Sequence, residues 1–139
     1  MTTLAIQIDP PQDTSQRVIL TGRLDTHTYQ ELDAALSPLL GTRITTLVLD
    51  LSALEYISSA GIRCIFKARK ALTTRQGKVL VANLQPQIRK VFEMVKAVPL
   101  SDVFTSTEEL DAYLAAMQRK VIEEHAHGDT PIVPHFAEA

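Results

Sequence analysis

The sequence has a single cysteine, no tryptophan and no long apolar run among its 139 residues. Because the one cysteine, Cys64, cannot form an intramolecular disulfide, the chain suits a reducing compartment. No apolar run reaches the roughly 18 residues that cross a bilayer, and the first residues lack the basic and apolar regions of a signal peptide. These absences predict a soluble cytoplasmic protein without a membrane segment.

The sequence also has no excess of one charge, since 14 basic residues are balanced by 16 acidic residues and the net charge is -2. This balance provides no electrostatic attraction for nucleic acid or for an anionic membrane, and we expect the chain to bind neither directly. Hydrophobic residues make up 45% of the chain, which suffices for a packed core. A chain of this length predicts one domain.

Strand-like and helix-like apolar patterns alternate along the chain. They predict the order β, β, α, β, α, β, α, short β, α. The first two strands form a hairpin, residues 45–51 form a central strand covered on both faces, and Leu100 with Val103 forms the short strand. Strands that alternate with helices predict an α/β sandwich with a mixed, mostly parallel central sheet and about four helices, mainly on one side.

Helix start and stop signals set the predicted limits of the folded part. The first helix is predicted to open at residues 24–26 and to end at Gly41. A capping pattern, Ser106 followed by Glu109, opens the last helix, whose apolar pattern ends near Glu124. We therefore assign residues 1–124 to the domain and residues 125–139 to a flexible C-terminal tail. Two other roles for the tail stay open, namely covering an exposed sheet edge and docking on a partner.

Two loops that lead from strands into helices carry the candidate site, because partners of such folds meet the carboxyl ends of the strands. We expect no catalytic residue in them, since the chain contains neither a Gly-x-Ser-x-Gly elbow nor a Gly-x-Gly-x-x-Gly loop after a strand. The candidate partner-binding residues are Asp25, Thr26, Tyr56, Ser58, Ser59, Gly61 and Arg63.

Two adjacent serines, Ser58 and Ser59, precede the second predicted helix. A serine at this position caps the helix and stabilises it by about 0.5–2 kcal/mol relative to alanine, which explains one serine but not both. Arg63 lies four residues after Ser59, within reach of it along the helix. A phosphate on Ser59 would therefore meet helix N–H groups and a guanidinium together.

Residues 49–63, LDLSALEYISSAGIR, resemble the signature of the STAS domain, the fold of bacterial anti-sigma-factor antagonists. Residues 20–25, LTGRLD, resemble the Gly-x-Leu-Asp turn of the same family, and the resemblance extends from about Leu4 to about Met117. It implies a STAS-like sandwich that binds an anti-sigma factor, which is also a serine kinase of the GHKL ATPase type. The kinase phosphorylates the antagonist and releases it, and a serine phosphatase of the PP2C type reverses the modification.

Aligned on Gly61, the phosphorylated serine of the family falls on Ser59 and its acidic neighbour falls on Asp25. Many antagonists have aspartate immediately before the target serine, where this sequence has Ser58, and Ser58 therefore stays the alternative phosphorylation site. Two other functions remain open. One is a STAS subunit of a transport or signalling complex that is never phosphorylated, and the other is a small nucleotide-binding α/β protein.

The remaining reactive side chains are interpreted structurally. Cys64, on the second helix, is predicted to be a small buried hydrophobic residue rather than a nucleophile. His125, His127 and His135 lie in the predicted tail, and we expect neither a metal nor another cofactor, since metal sites need three or four ligands on an ordered frame. The sequence leaves the oligomeric state open, a homodimer included.

Overall fold

The computed structural model describes residues 3–97, 103–127 and 136–138. Its strands and helices follow the predicted order up to the third helix. The elements are β1 (Leu4–Ile8), β2 (Ser15–Leu24), α1 (Tyr29–Leu40), β3 (Thr46–Ile57), α2 (Ser59–Thr73), β4 (Lys78–Ala82), α3 (Pro86–Ala97), α4 (Thr107–His127) and β5 (Phe136–Glu138).

The five strands form one mixed sheet in the order β1-β2-β3-β4-β5. β1 and β2 form the predicted antiparallel hairpin, β2 pairs with β3 and β3 with β4 in parallel, and β5 pairs antiparallel with β4. The α/β fold with a mixed sheet is therefore confirmed. The central strands β2, β3 and β4 are the parallel ones, as expected when helices connect them.

One face of the sheet carries the hydrophobic core. Val18, Leu49 and Val81 stand side by side on β2, β3 and β4, and each is fully buried. The neighbouring Val48 points to the opposite face and is only partly buried, so the predicted covering of this strand on both faces is wrong at that position. The core cluster also contains Leu36 of α1, Ile65 of α2, Ile88 of α3 and Leu114 of α4.

β2 and β3 are longer than predicted, and this shifts the start of the first helix. The two strands stay paired as far as Leu24 and Ile57, well beyond the apolar run that ends near Leu51. Because β2 continues to Leu24, α1 begins at Tyr29 rather than at residues 24–26, and a turn in which Tyr29 N donates to Asp25 O at 2.9 Å connects them. The predicted end of α1 at Gly41 is confirmed.

The C-terminal part differs from the prediction in three ways. Val103 lies in a turn instead of a strand, while Leu100 is outside the described residues. α4 starts after Ser106, whose Oγ accepts from Glu109 N at 3.1 Å as predicted, but continues to His127, three residues past the predicted end. β5 lies in the predicted tail and covers the edge of β4, one of the open alternatives. None of the described helices is long and apolar enough to cross a membrane.

An ion pair on the face of the sheet opposite Val18 and Leu49 joins β2 to β3. The Arg17 guanidinium binds the carboxylate of Asp50, which is 4% exposed and also accepts from Ser52 N at 3.0 Å. Burial by itself raises the pKa of Asp50. Hydrogen bonds from the Ser52 backbone and from the side chains of Arg17, Ser52 and Asn83 outweigh it, so the pKa lies below the usual 3.8. The folded chain therefore stabilises the ionised form.

We expect Asp50→Asn to lower the free energy of unfolding at neutral pH by about 1–3 kcal/mol, because it removes the charge of a buried acceptor that binds Arg17 and Ser52 N. A depressed carboxyl pKa stabilises the fold above its unfolded value of 3.8, and this contribution is lost as the pH falls through the folded pKa. Urea unfolding should therefore show the gap between wild type and variant closing in acid.

The matched control is Asp33→Asn, which removes a surface carboxylate 3.1 Å from Lys67 Nζ. It should change stability by less than about 1 kcal/mol. A gap between wild type and Asp50→Asn that is the same at neutral and acidic pH would contradict the assignment of this contribution to ionised Asp50.

Candidate functional site

The paired ends of β2 and β3 bring the two predicted loops together. Ser58 N donates to Leu24 O at 2.9 Å, so the turn that begins at Asp25 lies beside the start of α2. Gly61 allows this close approach, because a Cβ on it would lie 2.7 Å from Leu24 Cγ and 2.9 Å from Ile57 Cγ1. The juxtaposition of the two loops is thus built into the backbone.

The two serines have different roles. Ser58 is the N-cap of α2, and its Oγ accepts from Gly61 N at 3.4 Å. Ser59 is the first residue of the helix, and its Oγ has no hydrogen-bond partner within the described ranges. Both side chains are buried, with exposures of 2% and 3%. The structural cap therefore accounts for Ser58 alone and leaves the Ser59 hydroxyl unused.

Helix α4 contacts this segment through two polar side chains that the sequence did not predict as site residues. Ser59 N donates to Asp111 Oδ1 at 2.8 Å. Ile57 N donates to Gln118 Oε1 at 3.1 Å, and Gln118 Nε2 donates back to Ile57 O at 2.8 Å. Gln118 is 1% exposed. Its position among the apolar residues of the predicted helix was the signal available in the sequence.

Asp25 makes its side-chain contacts within the turn that precedes α1, and it does not cap the helix, whose N-cap is Thr28. Its Oδ1 accepts from His27 N at 2.9 Å and from Thr28 Oγ1 at 3.2 Å, and the residue is 7% exposed. Arg23, which was not predicted as a site residue, lies with Nε 3.7 Å from Asp25 Oδ2 and with its guanidinium 4.1 Å from the centre of the Tyr56 ring. Arg23 therefore connects two predicted residues, one on each loop.

The pKa of Tyr56 is influenced by both Asp25 and Asp111. Burial raises the pKa of the Tyr56 phenol, the carboxylates of Asp111 and Asp25 raise it further, and the positive charge of Arg23 opposes them. The phenol therefore stays protonated at neutral pH. Asp25 and Asp111 therefore both lie near enough to influence this one side chain, and the charge of Arg23 counters theirs.

Arg63 and Thr26 lie at the periphery of the site. Both are exposed, and within the described residues Arg63 makes no hydrogen bond to Ser59. Arg63 and Ser59 instead line the same cavity of about 680 Å³, which lies between α2 and the facing parts of α3 and α4. Arg63 and Thr26 also line a smaller cavity of about 220 Å³. The predicted approach of Arg63 to Ser59 is therefore limited to a shared cavity wall.

The other reactive side chains fit a structural interpretation. Cys64 is buried, its Sγ lies 3.8 Å from Tyr29 O, and burial raises its pKa to about 11, so the thiol is neutral. Among the described residues, no three His, Cys, Asp or Glu side chains are grouped to hold a metal ion. His125 Nδ1 lies 3.0 Å from Val121 O of its own helix, and His135 is outside the described residues.

We expect Gly61→Ala to lower the free energy of unfolding by up to about 2 kcal/mol. Alanine favours a helix by about 1 kcal/mol, but the new methyl group would overlap Leu24 and Ile57, and overpacking costs about 1–3 kcal/mol. Gly41→Ala is the control, since its Cβ would meet only Pro38 O at an ordinary 3.5 Å. Equal stability of the two variants would show that the loops are not held this tightly.

Comparison with known sequences finds related proteins over most of the chain. The family model of the STAS domain matches residues 12–110. BtrV of Bordetella bronchiseptica, named as an anti-sigma factor antagonist, is 34% identical over 89 residues, which are 64% of this chain and 77% of BtrV. The anti-sigma F factor antagonist of Lysinibacillus sphaericus is 30% identical over 76 residues, 53% of this chain and 64% of that protein.

Solved structures share the fold at lower identity. The unphosphorylated form of the anti-sigma factor antagonist SpoIIAA superposes with a TM-score of 0.57 at 24% identity, over 64% of this chain and 82% of SpoIIAA. An anti-sigma factor antagonist from Mycobacterium paratuberculosis gives 0.58 at 23% identity, over 83% of this chain and 94% of that one. The family match, the relatives and the shared architecture agree, and the chain belongs to the STAS domain family.

Proposed function

We propose that this chain is an anti-sigma-factor antagonist that binds a serine-kinase anti-sigma factor and is released when Ser59 is phosphorylated. The observation that carries the proposal is the Ser59 hydroxyl, which lies at the first position of α2 and has no partner within the described residues. The relatives named as anti-sigma factor antagonists support the same function. Asp25, Thr26, Tyr56, Gly61 and Arg63 form or support the surrounding binding surface.

The division of roles between the serines favours Ser59 over Ser58 as the modified residue. Ser58 Oγ already accepts from Gly61 N, so phosphorylation there would have to rearrange an existing cap. Ser59 Oγ has no hydrogen bond of its own to lose within the described residues. In the reaction, the γ-phosphoryl group of ATP moves to Ser59 Oγ. An O–P bond forms, the bond to ADP breaks, and the hydroxyl proton is released.

The switch acts through charge. A phosphate adds about 1.5–2 negative charges at neutral pH. These charges would lie beside the Asp111 carboxylate, which accepts from Ser59 N. At the start of a helix an anion is favourable by about 0.3–1 kcal/mol, so the domain stays folded. In a protein interface, like charges facing each other cost several kcal/mol, which is enough to separate the partners.

The resemblance to STAS antagonists implies the partners that this mechanism needs. The kinase is the anti-sigma factor itself, of the GHKL ATPase type, and a serine phosphatase of the PP2C type restores the hydroxyl. Both reactions are catalysed by the partners, so the chain acts as a regulated binding module in the cytoplasm rather than as an enzyme. A homodimer is compatible with this role.

The deep burial of both serines favours a second candidate. At 2% and 3% exposure, neither hydroxyl is accessible to a kinase until the start of α2 opens. A STAS subunit of a larger transport or signalling assembly that binds constitutively, and is never phosphorylated, would have no need of accessible serines.

Incubation with the cognate kinase and ATP, followed by intact-mass measurement, separates the two functions. We expect one added phosphate on the wild type and on Ser58→Ala, and none on Ser59→Ala. Unmodified wild-type protein that nevertheless binds the kinase tightly would favour the constitutive subunit.

We also expect Ser59→Asp to bind the kinase at least tenfold more weakly than Ser59→Ala, which corresponds to about 1.4 kcal/mol of repulsion. Calorimetric titration of the unmodified proteins measures this difference. Ser37→Asp places the same charge on an exposed serine of α1, away from the start of α2, and should bind like the wild type. The charge mechanism is wrong if Ser59→Asp and Ser59→Ala bind equally well.

A further inference from the structure

The start of α2 obtains its negative charge from another helix. α2 has no acidic residue in its first turn, although an anion there stabilises a helix through its dipole. The carboxylate of Asp111 on α4 takes this position and accepts from Ser59 N at 2.8 Å. In the unmodified protein, Asp111 thus occupies the place where a charge on the Ser59 side chain would also be favourable.

Two anions cannot share this position at low cost. Repulsion between two unit charges held within one helical turn of each other outweighs the attraction that a single charge-assisted hydrogen bond provides. The newly charged side chain has somewhere to go, because Ser59 lines the 680 Å³ cavity together with the cations Arg63 and Lys96. Asp111 is the partner that loses its position.

A second contact limits the effect to one part of α4. Gln118 lies seven residues after Asp111, about two helical turns away, and exchanges two hydrogen bonds with the Ile57 backbone. The buried amide is neutral and is not repelled by a charge on Ser59. We call these two contacts of α4, made by Asp111 and Gln118, the latch. They therefore respond differently to a charge on Ser59.

We propose that Asp111 holds α4 to the start of α2 only while residue 59 is uncharged. A negative charge on Ser59 displaces Asp111 and loosens the first turns of α4, while Gln118 keeps the rest of the helix in place. Asp111 is thus a positioning residue that converts the state of Ser59 into a change in α4. The biological use of this response rests on the proposed function, but the competition between the two charges exists without any kinase.

The test compares Ser59→Asp with Ser59→Asn, which differ in charge but hardly in shape. Hydrogen exchange of the full-length proteins is followed at the amide of residue 59 and at amides 107–114 of α4. We expect these amides to exchange about tenfold faster in Ser59→Asp than in Ser59→Asn. Amides around Gln118 and in β3 should exchange alike in the two variants, which also checks that both are folded.

The same pair in an Asp111→Asn background completes the test. Asparagine keeps an oxygen acceptor for Ser59 N but carries no charge, so the difference between Ser59→Asp and Ser59→Asn should disappear. Glu108→Gln, an exposed change in the same first turn of α4, is the control and should leave the difference intact.

Two results would overturn the proposal. Equal exchange in Ser59→Asp and Ser59→Asn would show that charge does not displace Asp111, and a difference that persists with Asp111→Asn would show that another group responds. Neither result depends on a kinase. Failure of Ser59 phosphorylation therefore rejects the proposed function alone, and failure of the exchange experiment rejects the latch alone.

Discussion

The parallel pairing of β2 with β3 is the constraint from which the site follows. Both strands run past the end of the core, to Leu24 and Ile57, and Ser58 N then donates to Leu24 O. Strand pairing fixes the relative position of two loops that are more than 30 residues apart in the sequence. A glycine at position 61 is needed because the helix that follows starts in contact with both strand ends.

The sheet, α2 and α4 meet at the start of α2. The residues found there are explained by the need to provide hydrogen-bond partners for the backbone groups of this segment. The first N–H groups of a helix have no partner within the helix. Ser58 provides one acceptor locally, and Asp111 provides another from α4. Gln118, also on α4, provides hydrogen-bond partners for the N–H and C=O groups of Ile57, the last residue of β3. Ser59 is left as a buried hydroxyl that this network does not use.

The parts of the structure that depend on neighbouring residues could be predicted from the sequence. The hairpin, the cap at Ser58, the capping contact of Ser106 and the end of α1 at Gly41 involve residues within a few positions of each other, and their residue types are specific. The mixed α/β sheet followed from the alternation of patterns. Burial of Cys64 followed from its apolar helix face.

The parts that the sequence missed depend on distant contacts. Asp111 and Gln118 are 52 and 61 residues from the backbone groups they bind. The apolar surroundings of Gln118 in the sequence suggest burial but do not indicate which groups it binds, and nothing local indicates Asp111. The extra length of β2 and β3 comes from their pairing beyond the apolar run, which the sequence pattern alone does not indicate. β5 has few residues and no strong pattern, and only its pairing with β4 defines it as a strand.

Because residue 58 is uncharged, the negative charge at the start of α2 comes from the contact that Asp111 of α4 makes with Ser59 N. Where many STAS antagonists are expected to have an aspartate before the target serine, Ser58 caps α2 without charge. Among the described residues, the carboxylate hydrogen-bonded to the first turn of α2 is Asp111, on a different helix. The negative charge at this helix start therefore depends on tertiary packing, and it can be withdrawn by moving α4 without unfolding α2. An aspartate at position 58 would make the same charge a fixed part of the helix.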